Sequence, residues 1–149
     1  MLRPQRLVCP GRRYLVDGDV ISHATADNQK MWQLGDCVEV FIKPEGGGRT
    51  DYWEIHLTPN GYMMDIHIGE RDNWEWDDAV AAESGASHAV AHTERGWVAE
   101  LRVPWSAFGL TEPPAAGEEW RLNVSRYNAD SSQPYDAENE RIDTSDHPW

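Results

Sequence analysis

Cysteine, basic side chains and long apolar runs are all scarce in this sequence. The 149 residues contain two cysteines, Cys9 and Cys37, which are too few for a disulfide framework and lack the spacing of a zinc site. No apolar run approaches the roughly 20 residues that a membrane-spanning helix requires. The opening residues also lack the apolar segment of a signal peptide. We therefore expect no membrane partner.

Lysine and arginine are outnumbered by acidic residues. The 13 basic and 26 acidic side chains give a formal net charge of -13 at pH 7. Such a charge repels polyanions, which argues against nucleic acid as a partner and favours a neutral or cationic ligand. The acidic surplus also has a simpler role, because it keeps a tryptophan-rich protein in solution.

Familiar catalytic and cofactor motifs are absent as well. The sequence has no glycine-rich phosphate loop, His-Glu-x-x-His motif, nucleophile elbow or Cys-x-x-Cys pair. An acid and a base for glycoside cleavage could come from the many carboxylates, although none is singled out, so a small glycoside-processing enzyme stays an alternative. His88 and His92 share one face of a predicted strand but stand too far apart for one metal ion without a bend. The metal ligands are therefore left unassigned.

Hydrophobic alternation with a period of two dominates the chain. Within residues 52–58, Trp53, Ile55 and Leu57 face one side and polar residues face the other, as in a strand with one buried face. The same pattern predicts strands at residues 37–42, 62–68, 97–103 and 120–125, and weaker strands at 14–20 and 87–93. Turn-forming residues separate the strands, as in the Pro-Asn-Gly run at 59–61.

The spacing and number of these strands indicate a fold class. Short strands at intervals of roughly 8 to 12 residues are typical of a sandwich or a barrel. We therefore predict an all-β protein, a sandwich or a barrel, that forms one domain over residues 1–149. A single helical turn is expected at Pro104 to Leu110, since proline begins it and glycine lies near its end. The pattern dissolves after Asn128, so residues 129–149 are expected to form an irregular tail.

Eight tryptophans are many for a chain of this length. Because tryptophan is large and apolar, most copies must lie in a core or against a ligand. Trp32 lies in a polar loop before a strand, where it either contacts a ligand or folds onto the sheet. Trp74 and Trp76 stand two residues apart and form either a stacking platform or a cap on the sandwich. The tryptophans expected in the core are Trp53, Trp97, Trp105 and Trp120.

Four ordered segments of the sequence carry a further signal. They are Asp27-Asn28-x-x-x-Trp32-x-x-x-Asp36-x-Val38-Glu39-x-Phe41, Asp51-Tyr52-x-Glu54-x-His56-x-Thr58-Pro59-Asn60-Gly61, Gly96-Trp97-x-x-Glu100-x-x-Val103-Pro104-Trp105 and Gly117-x-x-Trp120-Arg121-x-Asn123-x-x-Arg126. Together they resemble family 9 carbohydrate-binding modules over roughly residues 15–127. Those modules are calcium-binding β-sandwiches, attached to xylanases and other glycan-degrading enzymes, that hold the ends of sugar chains between two tryptophans. The resemblance implies an antiparallel, jelly-roll-like β-sandwich. It also implies noncatalytic binding of a carbohydrate, such as a xylan- or cellulose-type oligosaccharide.

The resemblance also implies roles for particular residues. The family's first stacking tryptophan falls on Trp32 and its hydrogen-bonding glutamate falls on Glu39, which suits a sugar that offers a C–H face and a rim of hydroxyls. The family's arginine on the next strand falls on His56, so an imidazole replaces a bidentate donor. Its polar last strand falls on Asn123, with Ser125 and Arg126 just beyond. The family's second tryptophan lies near the C-terminus, where Trp149 is available.

Further expectations follow from the same resemblance. Calcium would be structural, and no cofactor is required; the runs Asp17-Gly18-Asp19 and Asp77-Asp78 offer hard oxygen ligands without a defined binding loop. An extracellular or periplasmic location is implied. The family's N-terminal strands are absent here, which exposes a sheet edge and predicts self-association. A related sandwich binds haem through methionine and histidine, so a haem-binding domain is a second alternative, with Met31, Met63 or Met64 as the ligand.

Overall fold

The computed structural model describes residues 20–70, 72–94 and 96–129. Most of the strand expected at 14–20, the acidic run at 17–19, and nearly all of the expected tail, with Trp149, lie outside these residues. The strands are β1 (Cys37–Pro44), β2 (Tyr52–Leu57), β3 (Met63–Ile68), β4 (Ser87–Thr93), β5 (Gly96–Arg102) and β6 (Trp120–Tyr127). One α-helix, α1 (Trp76–Ala81), and two 3-10 turns, Met31–Gln33 and Trp105–Phe108, complete the described elements.

The strands form two antiparallel sheets, one of four strands in the order β3-β2-β1-β6 and one of two strands, β4-β5. This arrangement confirms the predicted all-β antiparallel sandwich. The two faces of the larger sheet follow from the alternation of side chains. We call the inner face the one that carries Val40, Ile42, Trp53, Ile55 and Val124, and the outer face the one that carries Glu39, Phe41, Glu54, His56, Asn123 and Ser125.

The core on the inner face lies between the larger sheet and the chain from β5 to the second 3-10 turn. Val40, Ile42, Trp53 and Ile55 are buried there with Phe108, and half-buried apolar side chains pack around them. The indole Nε1 of Trp53 donates a hydrogen bond to the carbonyl of Ala107 over 2.7 Å, which satisfies its one polar group inside the core. Trp105 and Trp120 pack against the same cluster. The core assignment of these three tryptophans is therefore confirmed.

Trp97 departs from the expectation. It lies on β5 and is only half-buried, and neither core cluster of the described residues includes it. The reason is that β5 pairs with β4 alone, and most of β5 faces solvent, with Val98 54% exposed. Only Leu101, near the end of the strand, and Val103, just after it, reach the inner core. The alternation placed Trp97 on the same side of β5 as Leu101, but at Trp97 no buried layer covers that side.

The β4-β5 sheet is tied to the larger sheet through the turn that joins β2 to β3. Nε2 of His88 lies 2.9 Å from the carbonyl oxygen of Gly61, and Nε2 of His92 lies 3.0 Å from that of Pro59. Because a carbonyl can only accept, each Nε2 carries a proton and donates. Both histidines therefore have hydrogen-bonding roles between the sheets.

A second core lies on part of the outer face. Met31, Cys37, Met64, Ile66 and Ile68 are buried there beneath the first 3-10 turn and α1. Helix α1 was not predicted, and Trp76 begins it rather than lying on a strand with Trp74. Acidic side chains in its first turn, Asp77 and Asp78, favour a helix N-terminus. Across the described ranges, no helix has the length and apolar character needed to cross a membrane.

The segment before β1 is held by Gly35 and Asp36. Gly35 bridges to Ser22 with a φ of 135°, and a Cβ atom at this position would lie 2.4 Å from the carbonyl oxygen of Ile21, so only glycine fits. The buried carboxylate of Asp36 accepts hydrogen bonds from the backbone N–H groups of Ile21, over 3.3 Å, and Ala129, over 2.7 Å. Burial raises the pKa of Asp36, although both hydrogen bonds oppose the shift. These contacts hold the loop that carries Trp32 against the sheet.

Candidate functional site

Four polar side chains meet at the centre of the outer face. Glu39 of β1 stands directly opposite His56 of β2 on one side and Ser125 of β6 on the other. Glu54 lies two residues before His56 and therefore projects from the same face. Directly opposed residues on antiparallel strands have Cβ atoms roughly 4.5 to 5.5 Å apart, so these side chains must interact. We call Glu39, Glu54, His56 and Ser125 the central polar cluster.

Hydrogen bonds fix the side chains of this cluster. Nε2 of His56 lies 2.8 Å from Oε1 of Glu54, and Nδ1 lies 3.6 Å from Oε1 of Glu39. The hydroxyl of Ser125 donates to Oε2 of Glu39 over 2.7 Å. The His56 side chain is 1% exposed, whereas those of Glu39 and Glu54 are 19% and 20% exposed. The histidine is thus a buried support that presents two partly exposed carboxylates at the surface.

Aromatic rings border the cluster. The ring of Trp32 lies 5.4 Å from that of His56 and 5.7 Å from that of Trp76, the latter in an edge-to-face arrangement. Trp74 continues the row, with its ring 6.4 Å from that of Trp76. Nζ of Lys30 lies 5.4 Å from the centre of the Trp76 ring, within the range of a cation–π contact. Trp74 is 42% exposed, so the row of three tryptophans reaches solvent at its far end.

The outer face continues toward the other end of β1. Phe41, Lys43, Tyr52, Arg121 and Asn123 contribute to the lining of an open depression of about 330 Å³. Phe41 and Asn123 stand directly opposite each other, and Asn123 is exposed. The face therefore presents two carboxylates, an amide and several aromatic rings along a shallow surface. Such a surface can contact a ligand with both apolar faces and hydroxyl groups.

The site predicted from the sequence is assembled only in part. Trp32, Glu39, His56 and Asn123 lie on the outer face, and His56 is close to both Trp32 and Glu39. Arg126 is opposite Val38 in register, so it projects toward the inner side and hydrogen-bonds to Asn128. Trp149 lies outside the described residues.

Sequence reasoning missed two members of the arrangement. Glu54 was placed on the polar side of β2 but was given no role, although its spacing of two from His56 puts both on one face. Cys37 was considered only as a member of a cysteine pair. It is buried beside Glu39, and its Sγ atom lies 4.0 Å from Oε1 of that residue. Burial raises the pKa of the Cys37 thiol, and the charges of Glu39, Asp36 and Glu54 raise it further.

The positions of the possible metal ligands and of the methionines can be compared with what calcium and haem require. Among the described residues, one group of three or more histidine, cysteine or acidic side chains lies close enough to share a metal ion, namely Cys37, Glu39 and His56. Calcium prefers six to eight oxygen ligands, so this group does not fit it. Met31 and Met64 are completely buried in the outer core, which leaves Met63 as the accessible methionine for the haem alternative.

Comparison with known proteins gives one structural likeness. No known family profile matches the sequence, and no curated protein matches it. A crystal structure from Bacteroides uniformis, of a protein provisionally named a carbohydrate-binding protein, superposes with a TM-score of 0.53 at 18% sequence identity. The match covers 72% of this chain and 52% of the other, so the present chain spans about half of that protein's length. The two proteins share a fold.

Proposed function

We propose that the outer face of the larger sheet binds a carbohydrate without cleaving it. The observation that carries the proposal is the central polar cluster next to Trp32, where a partly exposed glutamate accepts a hydrogen bond from a serine and lies 3.6 Å from a buried histidine whose ring contacts the indole. The name of the Bacteroides uniformis protein that shares the fold supports the same class of ligand. The sequence resemblance to family 9 modules supports it independently.

The chemistry of the face suits a sugar. The C–H face of a pyranose ring packs on an indole, and its hydroxyls donate to carboxylates, which in ionised form only accept hydrogen bonds. Glu39 and Glu54 supply such acceptors, and Asn123 supplies an amide that both donates and accepts. A charged acceptor strengthens each hydrogen bond and selects the position of the hydroxyl. A neutral glycan also avoids repulsion from the formal net charge of -13.

The second stacking surface is assigned to the tryptophan row. A sugar chain that stacks on Trp32 can extend along Trp76 toward Trp74, whose ring is the most exposed of the three. This interpretation makes the site an open strip rather than a sandwich around a chain end. Xylan- and cellulose-type oligosaccharides, which are extended and neutral, fit such a strip. Affinities of shallow sugar sites lie in the range of roughly micromolar to millimolar dissociation constants, or about -8 to -4 kcal/mol.

One observation favours a second candidate, a glycoside-processing enzyme. Glu39 and Glu54 lie diagonally across adjacent strands of one face, so the outer face does hold a pair of carboxylates. Acid and base catalysis at a glycosidic bond requires such a pair on opposite sides of the bond. Here both carboxylates contact the same buried imidazole, and together they form one surface rather than two sides of a cleft. The geometry therefore supports binding better than cleavage.

A glycan array followed by calorimetry tests the proposal. We expect binding to at least one extended neutral glycan, with unchanged ligand recovered by chromatography after prolonged incubation. Trp74→Ala should weaken binding of long oligosaccharides more than that of disaccharides, because only long chains reach the far end of the row. The control is Val98→Ala, which removes another exposed apolar side chain, on β5. Release of shorter sugars by the wild-type protein would establish the enzyme instead, and no binding across the array would refute both.

A further inference from the structure

We propose that Cys37, Glu39 and His56 form a binding site for a divalent transition-metal ion of the zinc class beneath the outer face. The ligand atoms are Sγ of Cys37, Oε1 of Glu39 and Nδ1 of His56, and all three lie within 4.8 Å of one another. The inference does not depend on carbohydrate binding. It rests on the geometry of the three side chains and on one unsatisfied atom.

That atom is Nδ1 of His56. The side chain is 1% exposed, and Nδ1 is buried without a hydrogen-bond partner. Nε2 lies 2.8 Å from Oε1 of Glu54, and an ionised carboxylate only accepts, so Nε2 donates this hydrogen bond. In the neutral imidazole with its proton on Nε2, Nδ1 holds a lone pair and lies 3.6 Å from Oε1 of Glu39. Buried polar atoms are nearly always satisfied, and a bound cation would satisfy this one.

The distances between the ligand atoms fit a small tetrahedral ion. Bonds of about 2.0 to 2.3 Å in a tetrahedral zinc site place neighbouring ligand atoms roughly 3.3 to 3.8 Å apart. Here Nδ1 of His56 lies 3.6 Å from Oε1 of Glu39, and Sγ of Cys37 lies 4.0 Å from the same oxygen. Sγ lies within 4.8 Å of Nδ1 as well, so a movement of the Cys37 side chain toward Nδ1 and Oε1 completes three positions. Glu39, which is 19% exposed, is the ligand that connects the site with solvent.

The surroundings support the three ligands. Glu54 holds the far nitrogen of the His56 ring, as a carboxylate commonly does behind a metal-bound histidine. Ser125 holds the second oxygen of Glu39, so Oε1 is the oxygen left for the ion.

Cobalt titration of the whole chain, without sugar, tests the site. Co²⁺ should produce a thiolate-to-metal charge-transfer band in the near ultraviolet, and added Zn²⁺ should remove it. Cys37→Ser should abolish the band, while Cys9→Ser, the matched change at the other cysteine, should retain it. Glu54→Gln should keep Cys37 as a ligand but weaken cobalt binding about 10- to 100-fold, as loss of a supporting carboxylate does.

Each outcome of the titration bears on the site. A wild-type protein that gives no band in saturating Co²⁺ overturns the proposal, whatever the variants do. A band that survives in Cys37→Ser and disappears in Cys9→Ser overturns it as well. Circular dichroism of each variant shows whether a missing band is due to the loss of a ligand or to unfolding. If Cys37→Ser is unfolded, the cobalt affinity of Glu54→Gln decides the question. Since no sugar is present, failure here leaves the carbohydrate proposal standing.

Discussion

The hydroxyl of Ser125 donates a 2.7 Å hydrogen bond to Oε2 of Glu39 across 86 residues of chain. The contact exists because β6 pairs with β1 along its whole length, from Cys37 opposite Tyr127 to Pro44 opposite Trp120. One oxygen of Glu39 is therefore occupied by the protein, and the rotamer of the side chain is fixed before any ligand arrives. Fixing an acceptor in advance reduces the side-chain conformational entropy that is lost when a ligand binds.

Ser125→Ala should weaken carbohydrate binding about tenfold, because a hydrogen bond to a charged group contributes roughly 1.5 kcal/mol or more. The variant frees the Glu39 carboxylate to rotate but removes nothing that a sugar contacts directly. Calorimetry of wild type and variant against one oligosaccharide measures the effect. Ser106→Ala, an exposed serine in the second 3-10 turn, is the control and should bind as wild type does. Equal affinities for Ser125→Ala and wild type would show that Glu39 needs no support.

Trp32→Ala should reduce sugar affinity by about 2 kcal/mol, or roughly 30-fold, the typical loss for a central binding aromatic. Trp32 also packs against the outer core, so the variant should melt somewhat earlier while remaining folded at room temperature. Trp97→Ala is the matched control, since it removes a half-buried indole from the other sheet. If the two variants bind sugar equally well in folded form, the indole of Trp32 does not contact the ligand.

Trp53→Ala and Trp97→Ala should differ strongly in stability. Trp53 is 4% exposed within the inner core, and its loss should cost about 3 to 5 kcal/mol of unfolding free energy. Trp97 lies outside both core clusters, so its loss should cost only about 1 to 2 kcal/mol. Urea unfolding of the two variants measures both values. A Trp97→Ala variant as unstable as Trp53→Ala would place Trp97 in a buried layer after all.

The strands were predictable because alternation is a local property. Val40, Ile42, Trp53 and Ile55 face one side in the sequence pattern and in the structure. Helix α1 was missed because it has only six residues, too few for a helical period to show, and because Trp74 and Trp76 imitate strand alternation. Alternation also assigns Trp97 a side of its strand, but whether anything covers that side depends on the packing of the sheets.

The candidate site likewise depends both on the residue pattern within single strands and on the register between strands. Resemblance selected Trp32, Glu39 and His56, but the contacts among them follow from the register of β1 with β2, which the pattern of one strand cannot supply. Arg126 is instructive, since it follows Asn123 by an odd number of residues. On a strand, an odd spacing places two side chains on opposite faces, so the grouping of Arg126 with Asn123 was avoidable from the sequence alone.

Acid should destabilise the protein partly through Asp51. Nε and Nη2 of Arg49 donate to the two oxygens of Asp51 over 2.9 and 2.5 Å, and Nη1 donates to the carbonyl of Phe108. The Arg49 hydrogen bond lowers the pKa of Asp51 below its ordinary 3.8. The unfolded chain therefore takes up the proton first as pH falls, and the stabilisation, present above pH 3.8, is lost as pH drops through the lower folded value.

Asp51→Asn should accordingly cost about 0.5 to 1 kcal/mol at neutral pH, a value reduced by solvent screening of a partly exposed pair. The difference in unfolding free energy between wild type and variant should shrink below pH 3.8. Urea unfolding at several pH values measures this, with Asp72→Asn, at an exposed turn, as the control. A difference that stays constant across the acid range would mean that Asp51 gains nothing from its arginine.

The direct test of whether the Glu39 carboxylate binds the sugar is calorimetry. The strongest array ligand is titrated into wild type, Glu39→Gln and Glu100→Gln. Glu100 is an exposed glutamate on β5, so its change alters the net charge equally without touching the outer face. We expect a loss of about 10- to 100-fold for Glu39→Gln, since charge-assisted hydrogen bonds are worth roughly 1.5 to 3 kcal/mol, and unchanged affinity for Glu100→Gln. Equal affinities for all three proteins would show that the Glu39 carboxylate takes no part in binding.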